Sequence, residues 1–444
     1  MSGLIIAGGA TEIKALRKQA RIAPLVDPYN QYRPGPYKWW GATDNKQPYF
    51  LLDTIKSCGL LGTCIDRLAS YTESKGIYFW DENAEQEAAD KQWQRIWNAA
   101  KGDLWLNKTC YDYWAFGKTF AKFIMNREDK PRPMFIVPVT ASMCRLEKQN
   151  LQTRAIENVY VSNQWLYRPI MQDGDPYMDK FPLLDTYMYS WQLENANVPA
   201  WFMTCDNYNA SDPYYGSLPW HSEDTLNHIS NLTSAPVIEK NIFKNSMGRK
   251  FHFEVDDDYL AFRMKFKNRN DPNFIEASPK SKQEALDDIR QGLDAYLTGE
   301  DGLYKSIITT KFIDDAGVER KAVTITPIET IYDKDKNIPS QQNAVANIMM
   351  GFGLDGDILG AVLGDTKFGG GGSSKEAAIM TLQMALKPHR TNILYQAKVF
   401  MEQWGLPANI QMKIRDYTAE DFAPKSNNSA QNNSANKPEP KTTA

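Results

Sequence analysis

Disulfide-forming and zinc-binding patterns are missing from this sequence. Its five cysteines (Cys58, Cys64, Cys110, Cys144, Cys205) fall at irregular spacing with no C-x-x-C pair, and only four histidines accompany them in 444 residues. An odd set of thiols without such spacing excludes a disulfide framework and fits free, buried thiols in a reducing compartment. A surplus of basic charge is also absent: 51 lysines and arginines stand against 54 acidic residues, a net charge of −3. Gripping nucleic acid by neutralising phosphates needs the opposite balance, so any DNA contact is expected to be loose or local. No run of about 18 uncharged apolar residues is present to span a bilayer. The opening Met1–Ala10 has a short apolar stretch with no basic residue ahead of it, unlike a signal peptide. The chain is therefore expected to be soluble and made in the cytosol.

Catalytic signatures are scarce too. There is no G-x-S-x-G elbow, no H-E-x-x-H and no cysteine with a histidine at a telling distance. His221 and His228 stand seven apart, the wrong spacing for an i, i+4 metal pair, and read as ordinary surface or interface histidines. Asp256-Asp257-Asp258 is the one acidic cluster that suggests metal-dependent phosphoryl transfer. Three consecutive residues point in different directions, so a solvated turn, or a face repelling DNA, is the plainer reading. The sequence thus offers no catalytic residue, no cofactor site and no metal site.

What is present is material for a core: 42% hydrophobic and 12% aromatic residues, enough for two or three domains. Apolar residues recur at helical spacing from Phe50 to about Tyr71 and from about Glu85 to Ala99. A helical or mixed stretch through Tyr111, Trp114 and Phe120 leads to strand-like runs at Met134–Val139 and Ile156–Val161, an α+β pattern. A stretch rich in tyrosine, tryptophan and methionine closes with Asp212-Pro213-Tyr214-Tyr215-Gly216-Ser217-Leu218-Pro219-Trp220, a turn. A helix is expected to restart there, capped by Ser222, with Glu223 and Asp224 in its first turn and an interruption at Pro236.

From Phe243 to Ile331 strand-like pieces (Lys250–Val255, Leu260–Phe266, Ser306–Thr310, Ala322–Ile325) surround one helix opened by the capping box Ser281–Glu284. This reads as an inserted α/β module. Another helix spans about Ser340 to Gly351. The segment Gly351–Gly372 then contains nine glycines and reads as a mobile loop. It resembles a phosphate cradle only superficially, because Lys375 comes two serines after the last glycine and no apolar strand precedes it. Ser373–Glu376 is a second capping box, opening a helix stopped or bent at Pro388, with one more helix beyond. The last residues, from Pro424, carry no aliphatic side chain larger than alanine and should be disordered.

The order of these parts resembles that of tailed-bacteriophage portal proteins. Tyr215-Gly216-Ser217-Leu218-Pro219 is similar to the family's Y-G-x-S-P turn, with the serine one place early. Ala346–Leu354, Ile358-Leu359-Gly360 and Ser373–Pro388 resemble its "I-A-x-x-F-G-[VI]-P…L-G" stretch, loop and following helix, with Asp355 where a proline is expected. Cys64–Ala69 and Gly117–Ala121 look like the helix and strand start near the front of portals.

The resemblance implies an α+β portal-like fold and a closed ring of copies of itself, usually twelve, at one capsid vertex. Its parts would be an N-terminal arm (1–49), a wing (50–218 and 389–423), stem helices (219–244 and 338–353) and a clip (245–337). A tunnel loop (354–372), a tunnel helix (373–388) and a disordered tail (424–444) would complete it, with the crown reduced or absent. The implied function is a channel for DNA packaging and ejection. Its implied partners are the terminase large subunit, the major capsid protein, head-tail connector or adaptor proteins and, without sequence specificity, double-stranded DNA. No membrane is implied. The place would be the virion, after assembly in the host cytoplasm. Lys367, Phe368, Gly369, Gly370, Gly371, Gly372 and Lys375 would face DNA, and Tyr215, Gly216 and Pro219 would form the stem-entry turn. Another ring-forming head-tail protein, or a metal-dependent nucleic-acid enzyme using Asp256–Asp258, is the alternative.

Overall fold

The computed structural model describes residues 33–41, 43–126, 128, 131–150, 155–195, 198–210, 212–246, 251–297, 312–313, 319–327, 334–359 and 372–418. The expected strand Ser306–Thr310, the loop residues Lys367–Gly371, the tail 424–444 and most of the N-terminal arm lie outside them. The chain divides into two compact units, Met1–Leu226 with Ala346–Ala444, and Asn227–Val345.

The first unit opens with helices α1 (Gln47–Ser57) and α2 (Gly59–Glu73), where the periodicity predicted a single helix. Cys58 breaks it in an extended conformation (φ −122°, ψ 104°). The break turns Leu51 and Ile55 inward on one segment and Leu61, Ile65 and Leu68 on the next. Strands β1 (Ile77–Asp81) and β2 (Gln86–Glu87) precede α3 (Gln92–Ala99) and α4 (Gly102–Phe116). The helix expected from Glu85 starts seven residues later. Glu85 has a left-handed φ of 50°, which suits a turn, and Gln86 and Glu87 pair with β1.

Then come β3 (Lys118–Met125), β4 (Pro133–Val139), β5 (Cys144–Leu146), β6 (Asn158–Val161), β7 (Asp179–Pro182), α5 (Tyr189–Asn195) and β8 (Ala200–Asp206). In the stretch expected to be helical or mixed, Tyr111 and Trp114 lie on α4 and Phe120 in β3, because α4 ends at Gly117 with φ +69°. Three sheets result, in the orders β4-β3-β8, β5-β6-β7 and β1 flanked by β2 and the late strand β13 (Ile410–Ile414). All their pairs are antiparallel.

One helix organises this unit's core. The capping box and Pro388 predicted a helix stopped or bent at the proline and one more beyond it; the structure has a single helix running Gly372–Glu402. Proline inside a helix costs about 3 kcal/mol through its missing donor and ring clash. Tertiary packing outweighs this: Leu382 and Leu386 before it, and Ile393, Ala397 and Phe400 after it, are buried. Arg390 adds bonds to Tyr71 O (2.6 Å) and Thr72 O (3.2 Å) at the end of α2, and an ion pair with Asp416. Phe400 meets Phe123 of β3 edge-on at 5.7 Å, and Gln396 donates to Met203 O of β8.

The second unit contains most of α6 (Glu223–Ser246), then β9 (Phe251–Val255), α7 (Asp257–Arg263), α8 (Pro272–Ile275) and α9 (Pro279–Leu297). The short pair β10 (Phe312–Ile313) and β11 (Glu319–Arg320) follows, then β12 (Val323–Pro327), which pairs with β9. Helix α10 (Lys334–Phe352) closes the insertion, with Gln341 Nε2 donating to Glu239 Oε1 of α6 at 3.3 Å. Pro236 does not interrupt α6. Leu260, Ala261 and Phe274 form a small core against Met264, Phe266, Leu286 and Ile289.

Two expectations are corrected here. Leu260–Phe266 begins as helix, not strand, because the Asp256 carboxylate caps α7 by accepting from Asp258 N (2.9 Å). Helix α9 starts at Pro279, not at the box Ser281–Glu284. Ser278 caps it, its hydroxyl accepting from Ser281 N, and proline's fixed φ suits the first helical position.

Candidate functional site

The turn Tyr215–Pro219 is the most tightly built place that the sequence singled out, and it lies wholly in the first unit. Helix α4 must satisfy its last carbonyls outside itself. Gly117 N closes onto Tyr113 O at 2.9 Å, the Trp220 indole donates to Trp114 O at 3.0 Å, and the His221 Nε2 reaches Ala115 O at 3.1 Å. Leu218 N points at the other ring nitrogen, Nδ1, at 3.3 Å. These partners fix a neutral imidazole with its proton on Nε2. Burial lowers the His221 pKa to about 4. His221 is therefore a structural brace, where the sequence suggested an ordinary surface or interface histidine.

Gly216 and Gly117 are where two backbones cross. A Cβ on Gly216 would stand 2.0 Å from Gly117 O and 2.7 Å from Asn207 O. Glycine alone permits that approach. Asn207 N donates to Gly117 O (2.9 Å), and its side-chain amide donates to Ser217 O (2.6 Å), so the crossing is also stitched.

Tyr215 anchors the turn's other side. Its ring stacks on Trp40 with centroids 4.1 Å apart, and its hydroxyl donates to Lys38 O (2.8 Å) while accepting from Leu146 N (3.2 Å). Burial pushes its phenol well above the ordinary value. Next to it lies Arg145, fully buried: Nε and Nη2 reach Asn45 Oδ1 and O, and Nη1 reaches Ser142 O and Cys144 O. Its guanidinium lies 5.7 Å from the Trp40 ring and 5.1 Å from that of Trp165.

Beyond Pro219, Trp220 is fully buried and stacks on Phe352, the last residue of α10, at 6.0 Å and 19°. Thr225 in the first turn of α6 packs against Gly351, whose Cβ would meet Thr225 Oγ1 at 3.3 Å. Ser222 caps α6 as expected, accepting from Thr225 N. The turn thus clamps the entry of α6 to the exit of α10.

The remaining site residues fall apart from this joint. Gly372 opens the long helix, and Lys375 lies exposed in its first turn. The acidic cluster is occupied by the backbone: beside the Asp256 cap, the carboxylate of buried Asp258 accepts from Arg269 N at 2.9 Å. Among the described residues no cluster of histidine, cysteine and acidic side chains could hold a metal, and no helix is long and apolar enough to cross a membrane. The sequence reading missed Arg145, Asn207 and the Trp220–Phe352 stack. Only the density of aromatic residues around the turn hinted at them.

No family model matches the sequence, and no curated protein does. Solved structures do. A chain from the neck of an empty gene transfer agent particle, computed with C6 symmetry, is similar with a TM-score of 0.55 at 10% identity, over 87% of this chain and 88% of that one. A chain of the native gene transfer agent virion is similar with a TM-score of 0.54 at 10% identity, over 87% of both. The chain shares this neck fold. An HK97-family phage portal protein from Corynebacterium diphtheriae also matches at 10% identity, over 84% of this chain and 97% of that one, but its TM-score of 0.40 is too low to mark a shared fold. The neck fold is what the ordered motifs led one to expect. At such low identity the fold persists while nearly every side chain differs.

Proposed function

We propose that this chain is a portal subunit, copies of which form a ring at one capsid vertex. The ring is the channel for DNA packaging and ejection and the docking site for terminase and the head-tail connector proteins. The observation that carries this reading is the neck fold, matched over 87% of this chain by neck chains from particles treated with sixfold and twelvefold symmetry. The collinear motifs support it, and so does the charge balance. A channel in which DNA slides both ways is braked by strong phosphate contacts, which a net charge of −3 avoids.

In this reading α6 and α10 are the stem, held at the Tyr215–Pro219 turn, and residues 245–337 are the clip that meets terminase and later the connectors. Residues 354–372 are the tunnel loop, with Lys367 and Lys375 approaching phosphates, and twelve copies close the ring beside the major capsid protein. The enzyme reading loses the residues it rested on, because Asp256 and Asp258 are engaged with backbone N–H groups. Negative-stain microscopy of the purified chain tests the proposal. Rings with a central channel are expected; monomers with metal-dependent nuclease activity overturn it.

A further inference from the structure

The first unit carries a groove of about 880 Å³ between the long helix Gly372–Glu402 and strand β13. Met380, Met384, Thr391, Leu394 and Lys398 line one wall, spaced at helical intervals, and all five residues of β13 line the other. Consecutive residues of a strand point to opposite faces, so a groove touching all five must run along the strand's edge.

That edge is open. Strand β13 is outermost in its sheet, paired with β1 on one side only. The bond from Glu82 N to Asn409 O sets the alternation of the ladder: residues 409, 411 and 413 turn their backbone groups toward β1, and Met412 and Ile414 turn theirs away. Among the described residues no hydrogen bond is made to the outward N–H and C=O of Met412 or Ile414. The wall facing them is mixed: Lys387, Thr391 and Lys398 stand on it, but at one end Met380 and Met384 present apolar side chains that are 59% and 71% exposed. An uncovered edge beside exposed apolar side chains is a template for another strand, and folded proteins cover or blunt such edges.

We propose that this groove receives an extended strand from a second copy of this chain, which adds to β13 through backbone hydrogen bonds and packs its side chains against Met380, Met384 and Leu394. The inference rests on the ring reading given above. In a closed ring each subunit presents one surface to the neighbour ahead and a different surface to the neighbour behind. A groove on one and a reaching segment on the other meets that requirement. The segment is Leu4-Ile5-Ile6-Ala7, an apolar run rich in β-branched residues that lies ahead of the first described residue. The 27 residues from Ala7 to Arg33 have a contour length of about 85 Å, enough to cross to an adjacent subunit.

The test mixes two full-length variants, Ile5→Cys and Met384→Cys, before assembly and oxidises the assembled material. The five natural cysteines are buried and free, which leaves the two introduced thiols to react. A shift from monomer to dimer on a non-reducing gel is expected for the mixture and not for either variant alone. The double variant Ile5→Cys, Met384→Cys then gives a ladder of linked subunits. Intrachain linkage of the double variant with no dimer from the mixture overturns the second copy as occupant. Rings seen by microscopy without any linkage overturn the inference and leave the ring reading standing. Absence of rings overturns both.

Discussion

Replacing Gly216 by alanine probes the crossing that fixes the turn Tyr215–Pro219. The added methyl would lie 2.0 Å from Gly117 O and 2.7 Å from Asn207 O, and both are backbone atoms that no rotamer change can move aside. An ordinary carbon–oxygen contact needs about 3.3 Å, so the segments must part by about 1 Å. The bond from Asn207 N to Gly117 O, 2.9 Å long, then opens. Overpacking of this kind costs about 1–3 kcal/mol, and a buried backbone group left unpaired adds about 1–3 kcal/mol. The expected loss is therefore about 2–6 kcal/mol, among the larger effects of any single substitution. Gly59→Ala is the matched control, because nothing lies within 4 Å of its Cβ and its φ is not left-handed. It should change stability by less than about 1 kcal/mol, in the stabilising direction. Urea unfolding at fixed protein concentration, followed by tryptophan fluorescence, compares the two, since Trp114 and Trp220 sit in the joint. Equal midpoints for Gly216→Ala and Gly59→Ala would refute the reasoning.

Other expectations follow from the same structure. Arg145→Met removes a fully buried cation and strands the carbonyls of Asn45, Ser142 and Cys144; a loss of about 3 kcal/mol by chemical denaturation is expected, and a neutral result contradicts the account. His221, lowered to about 4 from 6.5, refuses a proton that the unfolded chain accepts. Its contribution is complete above about pH 6.5 and is lost as pH falls toward 4. Burial raises Asp112 to about 7 from 3.8, and this acts in the opposite sense, with stability present at low pH and lost as pH rises through 7. The difference in melting temperature between wild type and His221→Gln should therefore narrow as pH drops from 7 to 4.5; a constant difference contradicts a neutral, buried imidazole. Pro388→Ala restores a helix donor and should raise the melting temperature by the equivalent of about 1–3 kcal/mol. Deleting Gly369–Gly371 should leave rings visible by microscopy while DNA packaging fails; loss of rings would make the loop a structural part.

How much of this was legible in the sequence differs from element to element. The start of α6 was, because Ser222 and the acidic pair after it are local signals that tertiary structure does not override. The turn Tyr215–Pro219 was found as punctuation, but what locks it was not. The partners of Tyr215, and of Trp220 and His221 just beyond the turn, are Lys38, Leu146, Trp114 and Ala115, about 70 to 180 positions away in the chain, and no spacing rule encodes them. Pro388 misled for a related reason. Its cost is local and visible, whereas the packing of Leu386, Arg390 and Ile393 that outweighs it is not. Strand periodicity failed at Leu260, where one aspartate's cap decided for helix. The open edge of β13 was invisible in principle, since an edge is a property of what fails to come alongside.

The unbroken helix from Gly372 to Glu402 has a mechanical consequence. Its 31 residues make a rod of about 46 Å. One end adjoins the glycine-rich segment, and near the other Phe400 and Gln396 hold it to Phe123 of β3 and Met203 of β8. Arg390, two residues beyond Pro388, ties the rod's middle to the end of α2. The helix is thus one continuous span, with no break between the residues beside the glycines and those that meet β3 and β8.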